Sequence, residues 1–152
     1  TARDLNALRA TNQTIKKLVH RGDYESFERY LQLNETFHAR LMKMARSPLL
    51  QRAIEGVVSL PFASASAFVL AEAELPASRD ILIIAHRHHS SLIEAIERRQ
   101  GARAEALARE HARVALANLD IVVDNHRDVL ERLPGASLLA LPARPEPEPE
   151  PA

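Results

Sequence analysis

The chain has no cysteine and no tryptophan, and only four glycines, four phenylalanines and two tyrosines in 152 residues. Without cysteine there is no disulfide scaffold, no thiolate metal site and no thiol nucleophile. Scarce glycine and scarce aromatics disfavour a sandwich, a barrel and a glycine-rich nucleotide-binding sheet. Charge of one sign is also lacking, since 20 basic residues face 20 acidic ones. A neutral chain has no global electrostatic footprint for nucleic acid or an anionic membrane. No apolar run approaches the roughly 18 residues that a membrane span needs. The first residues, Thr1-Ala2-Arg3-Asp4, do not form a signal peptide. They lack a starting methionine, which is consistent with a fragment or a processed product.

Alanine and leucine are abundant, 25 and 21 by count. Both are strong helix formers, so the composition predicts an all-α protein. Five of the nine prolines lie between Pro142 and Pro151, alternating with glutamate. Such a run favours extended polyproline II and cannot pack a core. Residues 1–135 are therefore read as one helical domain and 136–152 as a Pro/Glu-rich disordered tail.

Six helices are expected within the domain. The first spans about Arg3 to His20, with an apolar face of Leu5, Leu8, Ile15 and Leu18, and stops at Gly22. Asp23 caps a second that runs to about Arg46. Ser47-Pro48 starts a third, as N-cap and first-turn proline. Pro61 interrupts or kinks that stretch, and an Ala/Ser-rich fourth helix covers Phe62 to Leu75. After a break at Pro76 and Ser78, a fifth runs from about Arg79 to Arg99 and stops at Gly101. A sixth runs from about Ala102 to Arg132. Short linkers predict antiparallel neighbours in one bundle.

Polar residues interrupt the apolar stripes. On the second helix the stripe is Phe27, Leu31, Asn34, His38, Leu41, Ala45, with steps of 4, 3, 4, 3 and 4. Asn34 and His38 therefore face the core, one turn apart. His89 interrupts Leu82, Ala85, Leu92 and Ile96 on the fifth helix. His111 and Asn118 interrupt Ala104, Leu107, Val114 and Ile121 on the sixth. A single inward histidine is ordinarily a hydrogen-bonded core residue. Three on three helices, with an amide oxygen one turn from one of them, suit a first-row divalent ion such as Zn, Ni, Mn or Fe. His86, one turn before His89, is a candidate neighbour of the site. His88 points elsewhere, and His20 and His126 read as exposed. Glu35-x-x-His38 matches half of a di-iron bundle motif, but no second copy occurs. Three readings stay open on the residues alone: a metal-binding sensor, a metal-dependent enzyme using the same histidines, and a structural bundle with satisfied core histidines.

Three blocks carry a resemblance to a known family. Leu33-Asn34-Glu35-Thr36-Phe37-His38-Ala39-Arg40-Leu41, followed by Ala45-Arg46-Ser47-Pro48-Leu49-Leu50, resembles the D-x-x-F-H-x-x-L…A-x-N-P-L-L signature of FCD domains. These are the C-terminal effector-binding domains of GntR-family bacterial transcription regulators. His89-Ser90-Ser91-Leu92-Ile93-Glu94-Ala95-Ile96 is the second block and Ala108-Arg109-Glu110-His111 the third. The resemblance covers about residues 3–132. It implies a helical bundle around a central cavity, and a divalent metal held by Asn34, His38, His89 and His111. It also implies a small organic acid effector that completes the coordination, a homodimer, a cytoplasmic location and no enzymatic turnover. Phe62, Ser64, Ser66, His86 and Asn118 are the candidate lining of the effector cavity. Asn34 stands where the family more often has Asp, which removes one negative charge from the ligand set. His88 stands where it usually has Glu. The resemblance further suggests that the first helix or two of the family domain are missing. DNA contact would come only through a winged helix-turn-helix domain absent from this chain.

Overall fold

The computed structural model describes residues 1–21, 23–60 and 76–125. The expected fourth helix, the C-terminal end of the sixth, His126 and the Pro/Glu-rich tail lie outside the described residues. Within them the chain forms five α-helices and no strand. These are α1 (Ala2–Arg21), α2 (Tyr24–Met44), α3 (Pro48–Val58), α4 (Pro76–Glu97) and α5 (Gly101–Asn125). The all-α expectation holds.

Each start has a local cause. Asp23 caps α2 by accepting the backbone N–H of Ser26 at 2.7 Å. This and a second bond from the Ser26 hydroxyl hold its carboxyl below the ordinary value. Ser47 caps α3 by accepting from Leu50 N–H at 3.3 Å, with Pro48 in the first turn. Pro76 begins α4 rather than marking a break before it, three residues ahead of the expected start. A proline at the first helical position loses no intrahelical bond, so the early start costs nothing.

The helix ends depart more from expectation. α4 stops at Glu97, and Arg99, not Gly101, takes the left-handed backbone with φ 56°. Gln100 N–H bonds Ala95 C=O at 2.9 Å and Arg99 N–H bonds Ile96 C=O at 3.0 Å. This pair of bonds is a Schellman motif built on arginine. Gly101 instead opens α5. Arg46 plays a similar part after α2, with φ 51° and its N–H on Lys43 C=O.

α1 is the hub, packed on both α2 and α4, while α5 packs on α4. Arg9, near the start of α1, pairs with Glu97 at the end of α4. Arg79, near the start of α4, donates to the carbonyls of Val19 and His20 at the end of α1. The two helices therefore run antiparallel. The contact of Glu94 with Arg103 beside that of His89 with His111 makes α4 and α5 antiparallel as well. The core gathers Leu8, Ile15, Val19, Tyr30, Phe37, Leu82 and Ile93. No residue of α3 is buried, and Leu49, Leu50, Val57 and Leu60 are exposed.

Candidate metal centre

His38 on α2, His89 on α4 and His111 on α5 converge. Their facing ring nitrogens lie within 4.8 Å of one another. His89 Nε2 is 3.2 Å from His111 Nε2, which is 3.3 Å from His38 Nε2. Helix geometry brings this about. The antiparallel α4–α5 hairpin returns position 111 to the level of 89. The 4, 3, 4 stripe of α2 turns His38 toward the same point.

Packing sets the ring orientations. Phe37 is fully buried and stacks on His89, with centroids 4.0 Å apart and planes 20° apart. It lies nearly perpendicular to the His38 ring, with centroids 5.6 Å apart. His38 and His111 are themselves stacked at 5.2 Å. Phe37 was not singled out among the site residues. The signal was its place one turn beyond Asn34 and beside His38, on a buried face wider than the stripe first drawn.

Burial sets the charge state. His38 is pushed down to about 4 by loss of water around the ring. His111 is also pushed to about 4, chiefly by burial and then by His38 and His88. His89, completely buried, falls well below its ordinary value for the same first reason, with His111 and His38 adding to it. All three are neutral imidazoles at neutral pH, the state that binds metals.

The spacing fits a cation better than it fits a hydrogen-bond network. An imidazole Nε2 carries either one proton or one lone pair in the ring plane, so it makes one good hydrogen bond. His111 Nε2 faces two other Nε2 atoms and can satisfy only one of them. A tetrahedral ion with bonds of 2.0–2.1 Å separates its ligand nitrogens by roughly 3.3 Å. The two recorded separations match that distance. The cluster can therefore hold a divalent ion on one face and leave further positions open. Nδ1 of His89 and of His111 is buried and meets no acceptor among the described residues.

The other candidates divide. Asn34 is buried on α2, one turn before His38 and on the same side. His86 is buried but turns toward α1, where its Nδ1 lies 3.2 Å from Asn12 Oδ1. Asn12 also donates to Ser90 Oγ at 2.8 Å. His86 is held down by burial first, and then by the charges of Lys16, His20 and Arg87. His88 does not point clear of the site as expected, because its ring lies nearly perpendicular to that of His111 at 6.0 Å and its Nδ1 is buried. His20 is exposed, as expected, with Nδ1 on the Lys16 carbonyl at 2.7 Å. Phe62, Ser64 and Ser66 fall outside the described residues, as does the side chain of Asn118.

Comparison with known families settles what kind of domain this is. The FCD domain family matches residues 1–114. The chain belongs to the FCD family. Its helical fold is accordingly that of the effector-binding domain of GntR-type regulators. The match takes in His38, His89 and His111 together. A comparison with curated proteins finds no match. Among the described residues, no helix is long and apolar enough to cross a membrane.

Proposed function

We propose that this FCD domain senses a small organic acid through a divalent transition metal held by Asn34, His38, His89 and His111. The observation that carries this reading is the convergence of three neutral imidazole nitrogens at metal-ligand spacing. Zn, Ni, Mn and Fe all suit three nitrogens and one oxygen. The bound ion supplies a fixed positive charge with open positions for a carboxylate. Asn34 contributes an amide oxygen, so the effector's negative charge is not opposed by a carboxylate ligand. Phe37 holds the plane of His89. Phe62, Ser64, Ser66 and Asn118 shape the space around the effector and set its selectivity, whereas His86 is engaged by Asn12 on the α1 side.

Within a GntR-type regulator the domain forms a homodimer and is coupled to DNA-binding domains. Effector binding shifts their arrangement only through a difference in affinity between two states.

The test is a titration of chelator-treated protein with each of the four metals, read by elemental analysis and thermal unfolding. Stoichiometric binding that raises Tm is expected, with loss of the ion in His89→Ala and in His111→Ala. Unchanged metal content and Tm in both variants would sink the proposal. Organic acids added to the metal-loaded protein should then raise Tm further, and turnover of carboxylate esters or lactones would favour an enzyme instead.

A further inference from the structure

A second polar site lies on the far side of α2. Asp4, Thr36, Ala39, Arg40, Lys43, Met44 and Arg46 line an open groove of about 450 Å³ between the start of α1 and the end of α2. Each residue advances a helix by about 100°, so Thr36 and Arg40 lie some 200° around α2 from His38. The groove and the histidine cluster therefore occupy opposite faces of one helix.

Three cations line this groove against a single carboxylate. Arg40 is half-buried, while Lys43 and Arg46 are exposed. None of the three side chains forms a hydrogen bond or an ion pair with another described residue. Five other arginines, Arg9, Arg98, Arg103, Arg109 and Arg113, each have a glutamate partner. Asp4 is the one negative charge lining the groove; its carboxylate pairs with the terminal ammonium of Thr1 at 3.0 Å and accepts from the Thr1 hydroxyl at 2.5 Å. That bond chiefly, and more weakly the charge of Arg46, keeps Asp4 ionised below its ordinary range. Lys43 and Arg46 also complement the negative end of the α2 dipole. The dipole accounts for cations at this end of the helix, but not for Arg40, a turn and more earlier on the same groove wall.

We propose that this groove binds a phosphate-type oxyanion, held by the guanidinium groups of Arg40 and Arg46 and the ammonium of Lys43. Two guanidinium forks suit the paired oxygens of phosphate, and the lysine adds a point charge. The volume lies in the range of small-ligand sites. A concave groove between two helix ends favours a small phosphorylated molecule over the rod of a duplex. The site is independent of the metal centre.

The experiment uses the full 152-residue chain after chelator treatment, so that no metal offers a competing anion site. Inorganic phosphate is titrated at low ionic strength, with chloride of matched ionic strength as control, and backbone amide shifts are followed by NMR. Saturable shifts confined to the amides of residues 36–46 and the start of α1 are expected. Arg40→Gln and Arg46→Gln should each weaken binding roughly tenfold, the effect of losing one charge-assisted hydrogen bond. Asp4→Asn should tighten it. Circular dichroism checks that these surface variants keep the helical fold. Shifts that never saturate, shifts centred on the three histidines, or wild-type affinity in both arginine variants would each overturn the proposal. So would binding of a DNA duplex without binding of phosphate.

Discussion

Phe37 has no exposed surface, and its ring stacks on His89 and lies nearly perpendicular to the His38 ring. It is at once a core residue and the support of the metal centre. Phe37→Ala leaves a cavity at the meeting point of α2 and α4 and should cost about 3–5 kcal/mol. Urea denaturation checks this, and a cost below about 1 kcal/mol would show that the ring is not packed as described. Phe37→Leu keeps most of the volume and removes the stacking face. It should therefore be far more stable than the alanine variant but still bind zinc more weakly than the wild type. Equal zinc affinity in the leucine variant would mean that the imidazoles are oriented without the aromatic ring.

Among the elements, the α4–α5 connection makes a sharp prediction. Arg99 sits in left-handed backbone at the position a glycine normally fills in a Schellman motif. For an L-residue with a Cβ that conformation costs roughly 1–2 kcal/mol. Arg99→Gly should relieve part of it and raise stability by about 0.5–1 kcal/mol, read as a rise in Tm. A lower Tm would show that the arginine side chain stabilises this turn. The α1–α4 contact gives the opposite sign. Asn12 bridges His86 and Ser90 in a buried interface. Asn12→Leu strands the His86 nitrogen and should cost about 1–3 kcal/mol. Asn12→Ala combined with His86→Ala should cost less than the two single changes together, since each already removes the shared bond. Strict additivity would refute the pairing.

These elements also show which features a sequence exposes. The caps at Asp23 and Ser47 were legible because the capping oxygen and the helix it caps are neighbours in the chain. The three histidines were legible because each interrupts an apolar stripe of helical period. Asn12 interrupts the stripe of Leu8, Ile15 and Val19 in the same way, and the same logic applies to it. Arg99 was not legible. Gly101 two residues later is the stronger local stop signal, and the left-handed arginine is imposed by the turn that brings α5 back onto α4. The edge contact of His88 with His111 was likewise hidden, because it depends on how far α5 lies around α4. The outward apolar face of α3 was not foreseen either, since its pattern of Leu50, Ile54 and Val57 reads like any core-facing helix.

For the whole molecule, the buried histidines make stability depend on pH, and the sign follows from the direction of their shifts. In the unfolded chain each titrates near 6.5, while in the folded protein His38 and His111 take a proton only near about 4. Between those values the unfolded chain binds more protons, so protonation draws the equilibrium toward unfolding. The stability is fully present above about pH 6.5 and is lost progressively as pH falls toward 4. Moving one ring from 6.5 to about 4 corresponds to roughly 3 kcal/mol. The rings touch one another, so their contributions do not simply add, and His89 acts in the same direction. That total is a large share of the 5–15 kcal/mol typical of a domain. Chelator-treated protein should therefore lose denaturation midpoint steeply between pH 7 and pH 5. Metal-loaded protein should fall from a higher starting point and more steeply still, because protons compete with the ion for the same nitrogens. Urea titrations at several pH values, with and without zinc, check both curves. His38→Gln combined with His111→Gln should flatten the metal-free curve while abolishing the zinc effect. A wild-type midpoint that stays level from pH 7 to pH 5 would mean that the imidazoles are not buried in their neutral form.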